Sequence, residues 1–168
     1  RIAREIGQIR TDQERLMTET AELRVQMAGK AEIAPLDRTT ARQLTQRELE
    51  LARSLDKLQL RMEEMLRKLT SDDPLAAAAL ADALDAARRL AIGEQMRGAA
   101  TLLSQLQLGR AGDAEQRVLT ALEELIHSLS MRRDQELARS LATLRQARST
   151  VQGLSQQART IDAELSAL

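Results

Sequence analysis

The chain has 168 residues with no Cys, Phe, Tyr or Trp, a single His, and 25 basic against 25 acidic side chains. Absence of cysteine excludes disulfides, thiolate metal sites and thiol redox chemistry; absence of aromatics and of net charge leaves neither a base-stacking platform nor an electrostatic footprint for nucleic acid or an anionic membrane. With 29 Leu and 27 Ala against 7 Ile and 3 Val, helix formers outweigh strand formers, and the chain is expected to be all-α.

In residues 1–28 the positions Ile2, Ile9, Leu16 and Leu23 recur every seven, with Ile6, Gln13, Thr20 and Met27 four residues on. Alternating steps of four and three are a coiled-coil seam. Gln13 and Thr20 weaken it, which predicts either an edge position or a partner with polar contacts. Gly29 ends this helix, and a connector with Pro35 follows. The second arm is expected from Asp37 or Thr40, since Thr40 and Gln43 have capping-box spacing. Its seam reads Leu44, Leu51, Leu58 and Met65 in one row and Leu55, Met62 and Leu69 in the other.

Asp73 and Pro74 then supply an N-cap and a first-turn proline. They open an alanine-rich helix whose bulk comes from Leu75, Leu80, Leu84 and Leu90, small enough elsewhere for close approach on more than one face. A break is expected between Arg89 and Gly93. The next helix runs to Leu108, with Met96, Ala99, Leu103 and Leu106 inside and Gly109 as its C′ residue. Asp113 and Gln116 predict the start of a fifth helix, with Leu119, Leu122, Ile126 and Leu129 on its core face. No Gly or Pro interrupts SLSMRRDQEL. A final arm follows, with Leu137, Leu144, Val151, Ala158 and Leu165 in one row and Ala147, Leu154, Ile161 and Leu168 in the other.

These patterns predict a three-helix stalk with arms 1–29, 38–70 and 131–168, and a small bundle of short helices, 74–130, at one end. The corresponding domains are an antiparallel hairpin arm (1–70), an Ala-rich bundle (71–130) and a coiled-coil arm (131–168). Arms one and three should run parallel, antiparallel to arm two, bringing Leu58 near Leu141. The longest charge-free stretch, Gly98–Gly109, falls far short of the ~20 residues a spanning helix needs. The heptad already runs at Ile2 and stops mid-pattern at Leu168, as in a segment of a longer helical protein.

Chemistry finds little support. Glu124 and His127 have the Glu-x-x-His spacing of di-iron bundle ligands, but such a site needs two units, and His127 is the sole histidine. A boundary histidine beside a helical core is the preferred reading. Lys30, Lys57 and Lys68 show no sign of tuning for nucleophilic work. Gly93, Gly98, Gly109 and Gly112 match no phosphate-binding loop. The Arg132, Arg133, Arg139, Arg145 and Arg148 run is interrupted by Asp134 and Glu136. No catalytic, cofactor-binding or metal residues are therefore assigned, and no small-molecule ligand is expected.

The succession IGQIRTDQERLMTETAEL, RELELARSLDKLQLRMEEML, the DP-started alanine helix and IGEQMRGAATLLSQLQLGRAGDAEQRVLTALEELIHSL resembles large, helix-rich, membrane-anchored bacterial proteins of planctomycete and proteobacterial type. Over roughly residues 1 to 150, the resemblance implies a cell-envelope setting with the anchor outside this segment. The expected role is a non-enzymatic structural or protein-interaction segment that binds a protein partner or self-associates through its seams. A soluble coiled-coil adaptor or regulator, with a cytoplasmic location, is the alternative.

Overall fold

A computed structural model describes residues 2–30 and 32–166, with the backbone alone at 75, 132–134, 136 and 160–166. The protein is all-α. Five helices account for nearly all described residues: α1 (Ile2–Met27), α2 (Pro35–Asp72), α3 (Pro74–Arg89), α4 (Ile92–Ser104) and α5 (Leu108–Ser166). Residues 1–130 form one compact unit and residues 131–168 a second.

Local chemistry explains most boundaries. Gly29 takes a positive φ of 77° after α1, a conformation glycine adopts without steric cost. Pro35 opens α2 rather than lying in the connector. Ala34 is extended, as a residue before proline prefers, and the fixed proline φ suits the first helical position. The expected capping box at Thr40 therefore does not form; the Thr40 hydroxyl donates to the Leu36 carbonyl within the helix. Lys30 instead ties the connector to the first turn of α2 through Asp37, at 2.8 Å. Asp73 caps α3, its carboxylate accepting from the Ala76 N–H at 3.0 Å, with Pro74 following.

Two turns break the glycine rule. Left-handed conformations fall on Ala91 (φ 46°) before α4 and on Leu106 (φ 58°) after it. At Leu106, the N–H of Gln107 bonds the Leu102 carbonyl and that of Leu106 bonds Leu103, a Schellman closure with leucine at C′. Gly109, Gly112 and Asp113 consequently lie inside α5, and neither the expected C′ glycine nor the second capping box exists.

The first unit is a four-helix arrangement with one added helix. Ion pairs Arg61–Glu5 and Arg47–Glu19 set α1 antiparallel to α2. Arg10–Glu123 and Thr20–Glu115 set the first part of α5 antiparallel to α1. One apolar cluster joins Ile6 and Ile9 to Leu55, Leu58 and Met62 of α2, Leu80 and Leu84 of α3, Ile92 and Met96 of α4, and Val118, Leu122 and Leu125 of α5. A second joins Leu16, Leu23, Ala41, Leu44, Leu103, Leu108 and Ala111. Because Met96 lies in the first cluster and Leu103 in the second, α4 runs with α1. The order α1, α2, α4, α5 is up-down-up-down, and α3 covers the Ile6 end, presenting Ala77, Ala83, Ala86 and Ala87 to the core.

The expected separation of a hairpin arm from a small bundle is corrected. Segments 1–70 and 71–130 share one core instead of standing as hairpin and separate bundle. Within the first unit α1 is flanked by α2 through Arg47–Glu19 and by the first part of α5, antiparallel to it, through Arg10–Glu123. Leu58 is buried in the first unit while Leu141 is 52% exposed. On the seams, Met65 is exposed, and on α5 Leu125 rather than Ile126 is fully buried because the stripe steps by three and four through Val118 and Leu122. The side chains of Leu75, Ile161 and Leu165, and the whole of Leu168, lie outside the described part.

Candidate functional site: a buried carboxyl layer and an exposed apolar seam

The two apolar clusters of the first unit are separated by a polar layer. On α1, Gln13 falls between Ile9 of one cluster and Leu16 of the other. On α2, Glu48 falls between Leu44 and Ala52, and on α5, Glu115 falls between Ala111 and Val118. Gln13, Glu48 and Glu115 are each 0% exposed and Thr20 is 1% exposed. At this level α4 offers only the buried alanines 99 and 100. The small side chains there leave the space between the other three helices to the longer polar groups.

Two hydrogen bonds define the layer. Gln13 Nε2 donates to Glu48 Oε2 at 2.8 Å, and the Thr20 hydroxyl donates to Glu115 Oε1 at 2.9 Å. Gln13 Oε1, Glu48 Oε1 and Glu115 Oε2 are buried without a hydrogen-bond partner. All three are acceptors, so the layer is short of donors. Neither carboxyl has a cationic partner among the described residues: Arg47 pairs with Glu19, and Arg10 with Glu14 and Glu123, at the surface.

Burial disfavours the charged carboxylate. It pushes the Glu48 carboxyl up to about 8, against the lowering effect of the Gln13 bond, and the nearby Glu115 adds repulsion in the same direction. Burial likewise pushes Glu115 up to about 7, with the Thr20 bond opposing. At neutral pH the layer therefore carries protons where exposed glutamates would carry charge.

The layer was partly visible in the chain. Gln13 and Thr20 interrupt the α1 seam, and their burial against polar partners resolves the two readings of that interruption. Glu48 and Glu115 were not singled out. The available signal was heptad spacing: Glu48 stands seven before Leu55 and Glu115 seven before Leu122, so each occupies a core row.

The Glu-x-x-His pair is not assembled into a centre. His127 is exposed, and the Glu124 carboxylate accepts from Arg89 at 3.3 Å. Among the described residues no group of three His, Asp or Glu side chains could hold a metal ion. Lys30 is held by Asp37.

The second feature is on α5 beyond Ser130. Every described side chain from Gln135 to Arg159 is exposed. Leu137 is 54%, Leu144 66%, Val151 65% and Leu154 60% exposed, and these carry the heptad rows read from the sequence. Arg139, Arg145 and Arg148 are exposed as well; the side chains of Arg132 and Arg133 lie outside the described part. Among the described residues no helix is long and apolar enough to cross a membrane.

No protein-family model, no curated protein and no solved structure matches the chain.

Proposed function

We propose that the chain is a non-enzymatic protein-interaction segment whose α5 extension pairs with another helix. The observation that carries this reading is the exposed row of Leu137, Leu144 and Val151 at heptad spacing, with Leu154 of the second row exposed beside it. An amphipathic helix gains most of its stability by burying its apolar face, and a seven-residue repeat is the pattern by which two helices bury such faces together. The compact unit at residues 1–130 then acts as the folded body that presents the seam. The bacterial cell-envelope setting rests on the resemblance of the element order, with the anchor outside this segment.

A photo-crosslinking residue at position 144, on the seam, is to be compared with one at position 149, on the opposite face, in cells producing the protein. Crosslinks from position 144 to one defined protein, or to a second copy of the chain, and none from position 149, support the reading. No crosslink from position 144, or equal crosslinking from both positions, contradicts it.

A further inference from the structure

We propose that Gln13, Thr20, Glu48 and Glu115 form a proton-held latch: loss of protons from this layer on alkalinisation opens the end of the bundle built on Leu16, Leu23, Leu44 and Leu103. The proposal stands on the placement of the layer and on its hydrogen-bond accounting, and is independent of the seam on α5.

Gln13 and Thr20 provide the donors seen, one to each carboxyl. Three further acceptor atoms, one each on Gln13, Glu48 and Glu115, meet no donor from the protein. A proton on a carboxyl converts one acceptor into a donor and removes a buried charge at the same time. With both carboxyls ionised, the layer would hold two buried negative charges and no added donor.

Among the described residues no other group relieves that charge. From α1 the layer meets Gln13 and Thr20, neither of which titrates. From α2 it meets Glu48, from α5 Glu115, and from α4 only Ala99 and Ala100. The flanking charges Arg47 with Glu19, Arg10 with Glu14 and Glu123, and Arg97 with Asp56 pair with one another at the surface. The upward displacement of both carboxyls, to about 8 and about 7, places the transition near neutrality.

The two ends of the bundle are unequal. Among the described residues the Ile6 end holds 17 buried core residues from five helices, whereas the Leu23 end holds 7 from four. Charge appearing at the boundary is relieved by admitting water, and the smaller cluster is the one with less apolar burial to oppose this. The helix ends at the connector and at the Leu106 turn should therefore separate first.

The test uses the full chain. Infrared spectra between pH 5 and 9 report protonated carboxylic acid separately from carboxylate, and hydrogen exchange corrected for intrinsic rates reports opening by segment. We expect a protonated-acid band at pH 7 that is lost by pH 9, reduced in Glu48→Gln and Glu115→Gln and absent in the double variant. Across the same range, exchange in residues 16–23, 41–48 and 99–111 should accelerate at least tenfold, while residues 52–62 and 118–125 change little. The double variant should keep slow exchange at pH 9; should it fail to fold, Glu115→Gln alone should show a smaller acceleration than wild type. A wild-type spectrum with no protonated acid at pH 7 would overturn the proposal. So would equal acceleration at both ends of the bundle, or an unchanged acceleration in the glutamine variants.

Discussion

Helix α5 contains two apolar stripes, one buried and one exposed. In its first part Leu119, Leu122 and Leu125 are 5%, 0% and 1% exposed; in its second, Leu137, Leu144 and Val151 are 54%, 66% and 65% exposed. Leu122 and Leu125 share one core cluster with Ile6, Leu55, Leu84 and Met96. From Leu137 to Arg159 the second part has four arginines and no acidic residue, so it lacks the oppositely charged i,i+4 pairs that support an exposed helix. Heptad spacing thus specifies that a face is to be covered, and leaves open what covers it.

The largest expected effect concerns the packed part and its acid layer. Both carboxyls are displaced upward on folding, from 4.5 to about 8 for Glu48 and to about 7 for Glu115. Their neutral forms are favoured in the folded state, so the folded chain holds more protons than the unfolded chain between these limits. Stability from this source is complete below about pH 4.5 and is lost as pH rises toward 8, by up to about 8 kcal/mol. Urea melts at pH 5 and pH 9 should show a lower midpoint at the higher pH. A midpoint that rises with pH would mean that the layer is ionised in the folded state.

Next comes the buried row itself. Leu122→Ala should cost about 2 to 5 kcal/mol, the range for deleting a fully buried leucine, as measured by denaturant unfolding. A cost below 1 kcal/mol would remove the contrast from its packed side. Smaller again is the cap joining α2 to α3. Asp73→Ala should cost about 0.5 to 2 kcal/mol, and Asp73→Asn should restore most of it; equal losses in both would point away from the Ala76 hydrogen bond. The least effect belongs to the exposed row. Leu144→Ala should change the stability of the free chain by less than about 0.5 kcal/mol, and a loss like that of Leu122→Ala would show the seam to be covered within the chain.

Much of this architecture was legible in the chain. The α1 seam, the Asp73–Pro74 start of α3 and the break near Arg89 follow from spacing and capping chemistry alone. The two left-handed turns were not, because Ala91 and Leu106 hold conformations that local preference assigns to glycine; packing of Ile92 and Leu103 into the core fixes them there against that preference. This displaced the start of α5 from Asp113 to Leu108 and turned two glycines into helix interior. The arrangement of arms was equally hidden. Residues 118–125 and 137–154 both carry seams, and periodicity does not say which one is buried. Small size is what the first unit uses: alanine on α3 and α4 lets five helices close around one core. The acid layer was half visible, since glutamate at a core spacing resembles a surface residue until its partners Gln13 and Thr20 are brought alongside.

Native-state hydrogen exchange along α5, at low protein concentration and pH 6, tests the contrast most directly. Amides of residues 115–125 should exchange only through global unfolding, while those of residues 141–154 exchange through local fraying, orders of magnitude faster. The fall in protection should lie between residues 130 and 137. Uniform protection through residue 154 under these conditions would contradict the account, since it would mean that the second leucine row is already buried in the isolated chain.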